Sequence, residues 1–248
     1  MDVLLNTVTP VTAVSSNHFT ELIKNFQGIR KYKFPNMTVI VYDLGLNEKE
    51  VKTLKEDSFF VYRSFEFAGY PPHVKNLHTY AFKPLIIQKV LAERGTVLWM
   101  DAAVLFKSDI KPLLQHLVEH QTEFLYYFPT TGHSIVSATN PPMLEYIPAL
   151  NSSQLTKDMP QASGMMILNT KETRQKIFQW ALFCSLDENC IAPRGSTLSC
   201  NLNFPRSKFG GCHRYDQSMF SILVSNAFNS QESTYLLPPT GIVTMNRL

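Results

Sequence analysis

The feature that most constrains this 248-residue chain is an alternation of short apolar runs with amphipathic segments along its first half. Val8–Val14 (VTPVTAV) is a β-branched run with strand character. Ser15, Ser16 and Asn17 then supply capping side chains, and Phe19, Leu22, Ile23, Phe26 and Ile29 recur at helical spacing. Residues 37–42 (MTVIVY) predict a second strand ending at Asp43, and Asn47 with Glu50 three positions on reads as a capping box for a short helix carrying Val51 and Leu54. Residues 59–63 predict a third strand. Pro84 suits the first position of a helix whose Leu85, Ile86, Val90 and Leu91 face inward and which Gly95 ends. Thr96–Met100 (TVLWM) is apolar throughout, as a strand covered on both faces should be. Pro112 opens a further helix.

Strands alternating with helices specify an α/β fold with a mostly parallel central sheet flanked by helices. In such sheets ligands bind beyond the carboxyl ends of the strands. Asp43, Asp101 and the Ser15-Ser16-Asn17 turn each follow a strand and are therefore candidate site elements. The second half is less regular: a strand over Gly164–Leu168, a helix over about 171–185, a cysteine-bearing loop without evident structure, and a helix over about 215–227. Without an internal repeat or a low-complexity linker, one continuous domain over 1–248 is expected, with 1–110 and 111–248 as its two halves.

Composition narrows the function classes. Charged residues make up 17% of the chain, below the roughly 25% usual for soluble domains, and the net charge is only +3. The densest basic stretch surrounds Lys31 and Lys33, too little to neutralise a run of phosphates, so nucleic acid is not the expected partner. No apolar run reaches the roughly 18 residues that span a bilayer, and the amino-terminal residues do not read as a signal peptide.

Cys184, Cys190, Cys200 and Cys212 are the only cysteines and cluster in the second half. Their even number favours a disulfide-stapled loop in an oxidising compartment, with three connectivities open. The gaps contain no C-x-x-C pair, which weighs against zinc; four buried free thiols is the competing reading. Two sequons, at Asn36 and Asn151, fit a secretory-pathway chain.

The sharpest local pattern is Lys83-Pro84, a helix, Gly95, VLWM-Asp101-Ala102-Ala103-Val104, then Asp109-Ile110 and another helix. Here the chain resembles the GT-A glycosyltransferases of the family-8-like branch, in which a buried strand delivers an Asp-x-Asp motif. Gln161-Ala162-Ser163-Gly164 through Asn169, and Tyr215-Asp216-Gln217-Ser218, are similar to two later motifs of that group. Residues 11–19 and 212–218 are more similar still to a group of uncharacterised animal proteins assigned to this fold.

The resemblance implies transfer of a sugar from a nucleotide diphosphate donor, UDP-linked, to a hydroxyl on a glycan or protein acceptor. It implies donor-side roles for Ala13, Asn17, Asp43, Lys83 and Asp101, and acceptor-side roles for Gly164, His213, Arg214 and Gln217. Asp216, near the acceptor, would be a general base or a sugar-holding group, and Asp101 the first carboxylate for a Mn²⁺ or Mg²⁺ ion. The sequence departs at position 103, which is Ala where the second carboxylate would stand. One carboxylate holds a hard cation poorly. Without a metal, positive charge would have to come from Lys83, His213, Arg214 or Arg247. The cysteine loop leads directly into 213–216 and is expected to brace it. Resemblance and cysteines together imply a Golgi or other secretory-pathway lumenal enzyme, tethered to the membrane as a type II protein by a segment outside this chain.

Two alternatives remain. One is a non-catalytic relative that binds a nucleotide sugar or carbohydrate, motivated by Ala103. The other is a zinc hydrolase, because His116-Leu117-Val118-Glu119-His120 satisfies H-x-x-E-H. Against it, Leu113, Leu114, Leu117 and Val118 predict the buried stripe of that helix, which would turn His116 and His120 to solvent.

Overall fold

The computed structural model describes residues 7–32, 38–200 and 205–247. Its centre is a six-stranded sheet in the order β3-β2-β1-β4-β9-β6. The strands are β1 (Val8–Val14), β2 (Val39–Asp43), β3 (Phe60–Ser64), β4 (Thr96–Met100), β6 (Phe124–Tyr126) and β9 (Gly164–Leu168). β1 pairs in parallel with β2 and β4, and β2 in parallel with β3. β9 runs antiparallel to both β4 and β6. The chain therefore reverses its direction of travel across the sheet between β1 and β4, the kind of switch point at which α/β sheets open a crevice. Two small antiparallel pairs complete the strands: β5 (Val104–Phe106) with β10 (Val243–Met245), and β7 (Thr130–Ser134) with β8 (Asp158–Pro160).

Both faces of the sheet are covered, which is why β4 lacks a polar alternation. Val97 and Trp99 join one core with helix α3 (Phe82–Arg94), and Leu98 and Met100 join the other with α1 (Phe19–Lys31) and α4 (Lys111–Glu119). A short helix α2 (Glu48–Glu56) is capped as expected, with Asn47 accepting from the Glu50 amide and Glu50 accepting from the Asn47 amide. Helices α5 (Gln179–Leu186), entered through a π-helical stretch Thr173–Phe178, and α7 (Asp216–Ala227) pack on the Trp99 side. Between them lies α6 (Glu188–Ile191), one helical turn inside the cysteine segment that the sequence reads as structureless.

Other boundaries shift by one or two residues, the usual uncertainty at element ends. The second strand includes Asp43, the third begins at Phe60, and α3 begins at Phe82. Lys83 thus sits inside the first turn of α3, and Pro84 follows it, where the missing amide is still one of the unpaired first-turn donors. In α4 the expected stripe is rotated. His116 is buried with Leu113, Leu114 and Leu117, its Nε2 bonded to the Thr234 carbonyl at 3.1 Å, while Val118 is exposed. The bond to a backbone carbonyl satisfies the imidazole that solvent exposure was expected to satisfy.

The cysteines pair as Cys184–Cys190 and Cys200–Cys212. Asn151 is exposed, whereas Asn36 lies outside the described residues. Among the described residues no helix is long and apolar enough to cross a membrane.

Candidate functional site

Strand β4 alternates its side chains between the two faces, so Trp99 and Asp101 leave it on the same side. That side is covered by α3, which runs antiparallel to β4 and brings its first turn to the carboxyl edge of the sheet. Lys83 therefore meets Asp101, its Nζ lying 3.2 Å from Oδ1. Asp216, the first residue of α7, arrives from the other direction, with Oδ2 at 2.6 Å from the same Nζ. Lys83 also donates to the Ala162 carbonyl at 3.2 Å, and the Trp99 indole N–H donates to Asp101 Oδ1 at 2.9 Å. The Lys83 ammonium lies near the rings of Tyr80 and Trp99, at 5.4 and 5.7 Å from their centroids.

Burial separates the three charged groups. The side chains of Lys83 and Asp216 are 3% and 5% exposed, whereas Asp101 is 29% exposed. Burial pushes the Asp216 carboxyl up to about 6, outweighing the attraction of Lys83, with the like charge of Asp101 adding to the rise. Lys83 is raised above its ordinary value: burial opposes its charge, but Asp101 and Asp216 together overcome that. The acids thus share one ammonium, and of the three groups only Asp101 is partly exposed. Its Oδ1 is held by Lys83 and Trp99, which leaves Oδ2 for a ligand.

The other sequence-predicted residues fall into two groups. Near the cluster, Arg214 is half-buried, its charge acts on Tyr80, and its Nε has no protein partner. Gln217 Nε2 is likewise buried without one. His213 lies just behind, fully buried. Asn140 donates its amide N–H to His213 Nδ1 at 3.1 Å, so Nε2 carries the ring proton and donates to the Ile191 carbonyl at 3.0 Å. That ring has no exposed surface for an acceptor, and burial lowers its pKa to about 4. Gly164, expected to let a sugar approach, is instead close to aromatic rings. A Cβ there would stand 2.4 Å from Tyr127 Cε2 and 2.6 Å from Phe128 Cδ2.

Further from the cluster, Asp43 spends both oxygens on local structure. Oδ1 accepts the Gly45 and Leu46 amides at 2.7 Å each, and Oδ2 accepts the Tyr62 hydroxyl at 2.9 Å. Asn17 lies in the exposed turn after β1 and accepts from the Ser15 hydroxyl. Ala13 pairs in register with Tyr42 inside the sheet. A hollow of about 260 Å³ near the end of β3, lined by Tyr42, Ser64, Phe65, Glu66, Tyr70 and Lys89, does not include Asp101.

Tyr80 and Tyr215 are site residues that sequence reasoning missed. Both have positive φ, 54° and 46°, a region that non-glycine residues enter rarely. Their rings lie 6.5 Å apart beside the cluster, and Tyr215 immediately precedes Asp216. Backbone strain of this kind concentrates at functional sites. No residue pattern marks a tyrosine for that geometry.

The fold is shared with solved structures. A galactosyltransferase, LgtC, solved in complex with donor and acceptor sugar analogs, superposes with a TM-score of 0.51 at 12% identity, covering 96% of this chain and 86% of that one. Core-mannan synthase A (CmsA/Ktr4) from Aspergillus fumigatus, in its Mn/GDP form, gives a TM-score of 0.52 at 11% identity, covering 88% and 69%. The chain has the GT-A glycosyltransferase fold. Residues 4–88 match the family described as "Protein of unknown function (DUF1647)". No curated protein sequence matches the chain significantly.

A divalent cation of the kind bound in the Aspergillus structure needs several hard oxygen ligands. The residues at this site do not fit one. Ala103 offers no ligand, Asp101 shares its Oδ1 with Lys83, and Asp216 is buried against the same ammonium. Among the described residues no group of three or more His, Cys, Asp and Glu side chains is placed to hold a metal. That applies equally to His116, Glu119 and His120: the two imidazoles stack at 4.2 Å, His116 is committed to Thr234, and the hydrolase reading has no support.

Proposed function

We propose that the protein is a glycosyltransferase that moves a sugar from a nucleoside diphosphate donor to a hydroxyl acceptor. The observation that carries this reading is the Lys83-centred ion cluster at the carboxyl end of β4, beside the switch point of a GT-A fold. A buried lysine between two acids is an expensive arrangement, and replacing such groups by apolar ones often stabilises a protein. Its presence at the edge where ligands enter favours a functional role over a structural one.

In this reading Asp101 Oδ2 accepts a hydroxyl of the donor sugar, while Lys83 and Asp216 hold Asp101 in place from beneath. Asp216 is thus a positioning residue; its burial removes it from direct contact with the acceptor. The bond from the anomeric carbon to the β-phosphate oxygen breaks, and the nucleoside diphosphate leaves with the electron pair. The acceptor oxygen bonds to the anomeric carbon and its proton passes to solvent water. The resemblance favours UDP as the nucleotide and a glycan or protein as acceptor. The two disulfides favour an oxidising compartment such as the secretory-pathway lumen.

The test is release of nucleoside diphosphate from a panel of nucleotide sugars, with and without acceptor glycans. The wild-type chain should turn over at least one donor, and Asp101→Asn should lower the rate by about 100-fold, the order expected for losing one preorganised polar contact. Full activity in that variant would refute the role of Asp101. Binding without turnover across the panel would favour the non-catalytic reading, for which Ala103 is the specific motive.

A further inference from the structure

Loss of a nucleoside diphosphate concentrates negative charge on the departing phosphates, and something must stabilise it. Lys83, His213, Arg214 and Arg247 are the basic side chains that could supply positive charge around Asp101. Lys83 is buried and matched by two carboxylates, so its charge is already compensated. His213 is neutral, its Nδ1 committed to the Asn140 amide and its Nε2 to Ile191. Arg214 and Arg247 remain.

Arg247 is brought to the site by strand pairing. Met245 pairs with Val104, and the Asn246 amide donates to the Ala103 carbonyl at 2.8 Å. Asn25 secures the segment, donating to the carbonyls of Ala102 at 3.0 Å and Asn246 at 2.9 Å and accepting from Asn246 Nδ2 at 2.8 Å. Met245 and Asn246 therefore lie against the position where the second acid of an Asp-x-Asp motif would stand. Ala103 carries no charge of its own to offset a basic residue following Asn246.

Arg247 and Arg214 are close enough for each to act on Tyr80 and for Arg247 to disfavour the charge on Arg214. Among the described residues neither arginine has a carboxylate within 4 Å, and Arg214 has His133 Nε2 as a neighbour at 3.4 Å. Like charges gathered without a counterion are unfavourable unless an anion joins them, and the planar guanidinium suits phosphate oxygens.

We propose that Arg214 and Arg247 form a built-in diphosphate clamp that takes the place of a divalent cation, so that donor binding is independent of metal. The inference rests on the functional reading above. Calorimetric titration of the 248-residue chain with UDP and with GDP, in EDTA and in Mn²⁺, tests it. At least one nucleotide should bind in EDTA with an affinity that Mn²⁺ changes by less than about twofold. Arg247→Gln, at an exposed site, should weaken that binding by about tenfold or more, and so should Arg214→Gln if its melting temperature shows it folded. Binding that requires Mn²⁺ and survives both substitutions overturns the clamp and leaves the functional reading standing. No binding of either nucleotide under either condition overturns both.

Discussion

Lys83, Asp101 and Asp216 carry opposite signs in a space from which water is largely excluded, so each depends on the others. Removing the ammonium in Lys83→Met leaves Asp216 buried against a like charge and should destabilise the fold by about 3–5 kcal/mol, read from urea unfolding. Adding Asp216→Asn to that variant should recover much of the loss; a strictly additive double variant would argue against coupling. Titration gives a second test. Asp216 binds its proton more tightly in the folded chain, near 6, than at its ordinary 3.8. Its contribution to stability is therefore full below about 3.8 and lost as pH rises through 6. His213 has the opposite sign: near 4 when folded against 6.5 ordinarily, so its contribution is full above 6.5 and lost as pH falls through 4. The two slopes oppose each other between about 4 and 6. Asp216→Asn should expose a stability that rises with pH in that window, and His213→Gln one that falls. The same slope in both variants would contradict the assignment. Asp101 and Lys83 were legible because strand-end acids and helix-start bases leave a sequence trace. Tyr80, Tyr215 and the Ala162 carbonyl were not, because positive φ and a main-chain acceptor leave none.

Among the elements, β4 and α3 were readable because a doubly covered strand is apolar at every position and Gly95, at φ 84°, ends the helix before it. The rotation of α4 was not readable. His116 and Val118 exchange places because a backbone carbonyl at Thr234 satisfies the imidazole, and that partner is far away in sequence. Gly164 also changes meaning in three dimensions: it admits the Tyr127 and Phe128 rings at the start of β9. Gly164→Ala should therefore cost about 1–3 kcal/mol through overpacking, measured by thermal melting, where an open turn would tolerate it. His213 joins elements that the cysteines also join. It follows Cys212, bonds the carbonyl beside Cys190, and holds Asn140, so the segment leading into Asp216 is tied at three points. The cysteines pair within 184–190 and within 200–212, and the second bridge ends one residue before His213.

For the whole molecule, the parallel order of β1 to β4 follows from local periodicity, whereas the reversal into β9 and β6 does not. Antiparallel strands buried on both faces look the same as parallel ones in a sequence. The final strand was equally hidden: β10 is three residues long, yet it brings Asn246 against Ala103, two residues from Asp101. Reducing the two disulfides should destabilise the whole chain by about 2–4 kcal/mol each, given short closed loops, and should lower nucleotide affinity by loosening the approach to Arg214. Unchanged affinity in the reduced protein would separate the brace from the site. The central claim places the donor diphosphate at the carboxyl end of β4. A crystal structure of the chain with a bound nucleoside diphosphate measures that directly. The account predicts the two phosphates beside Asp101, within reach of Arg214 and Arg247; phosphates in the hollow near Tyr42 and Tyr70, or anywhere away from Asp101, would contradict it.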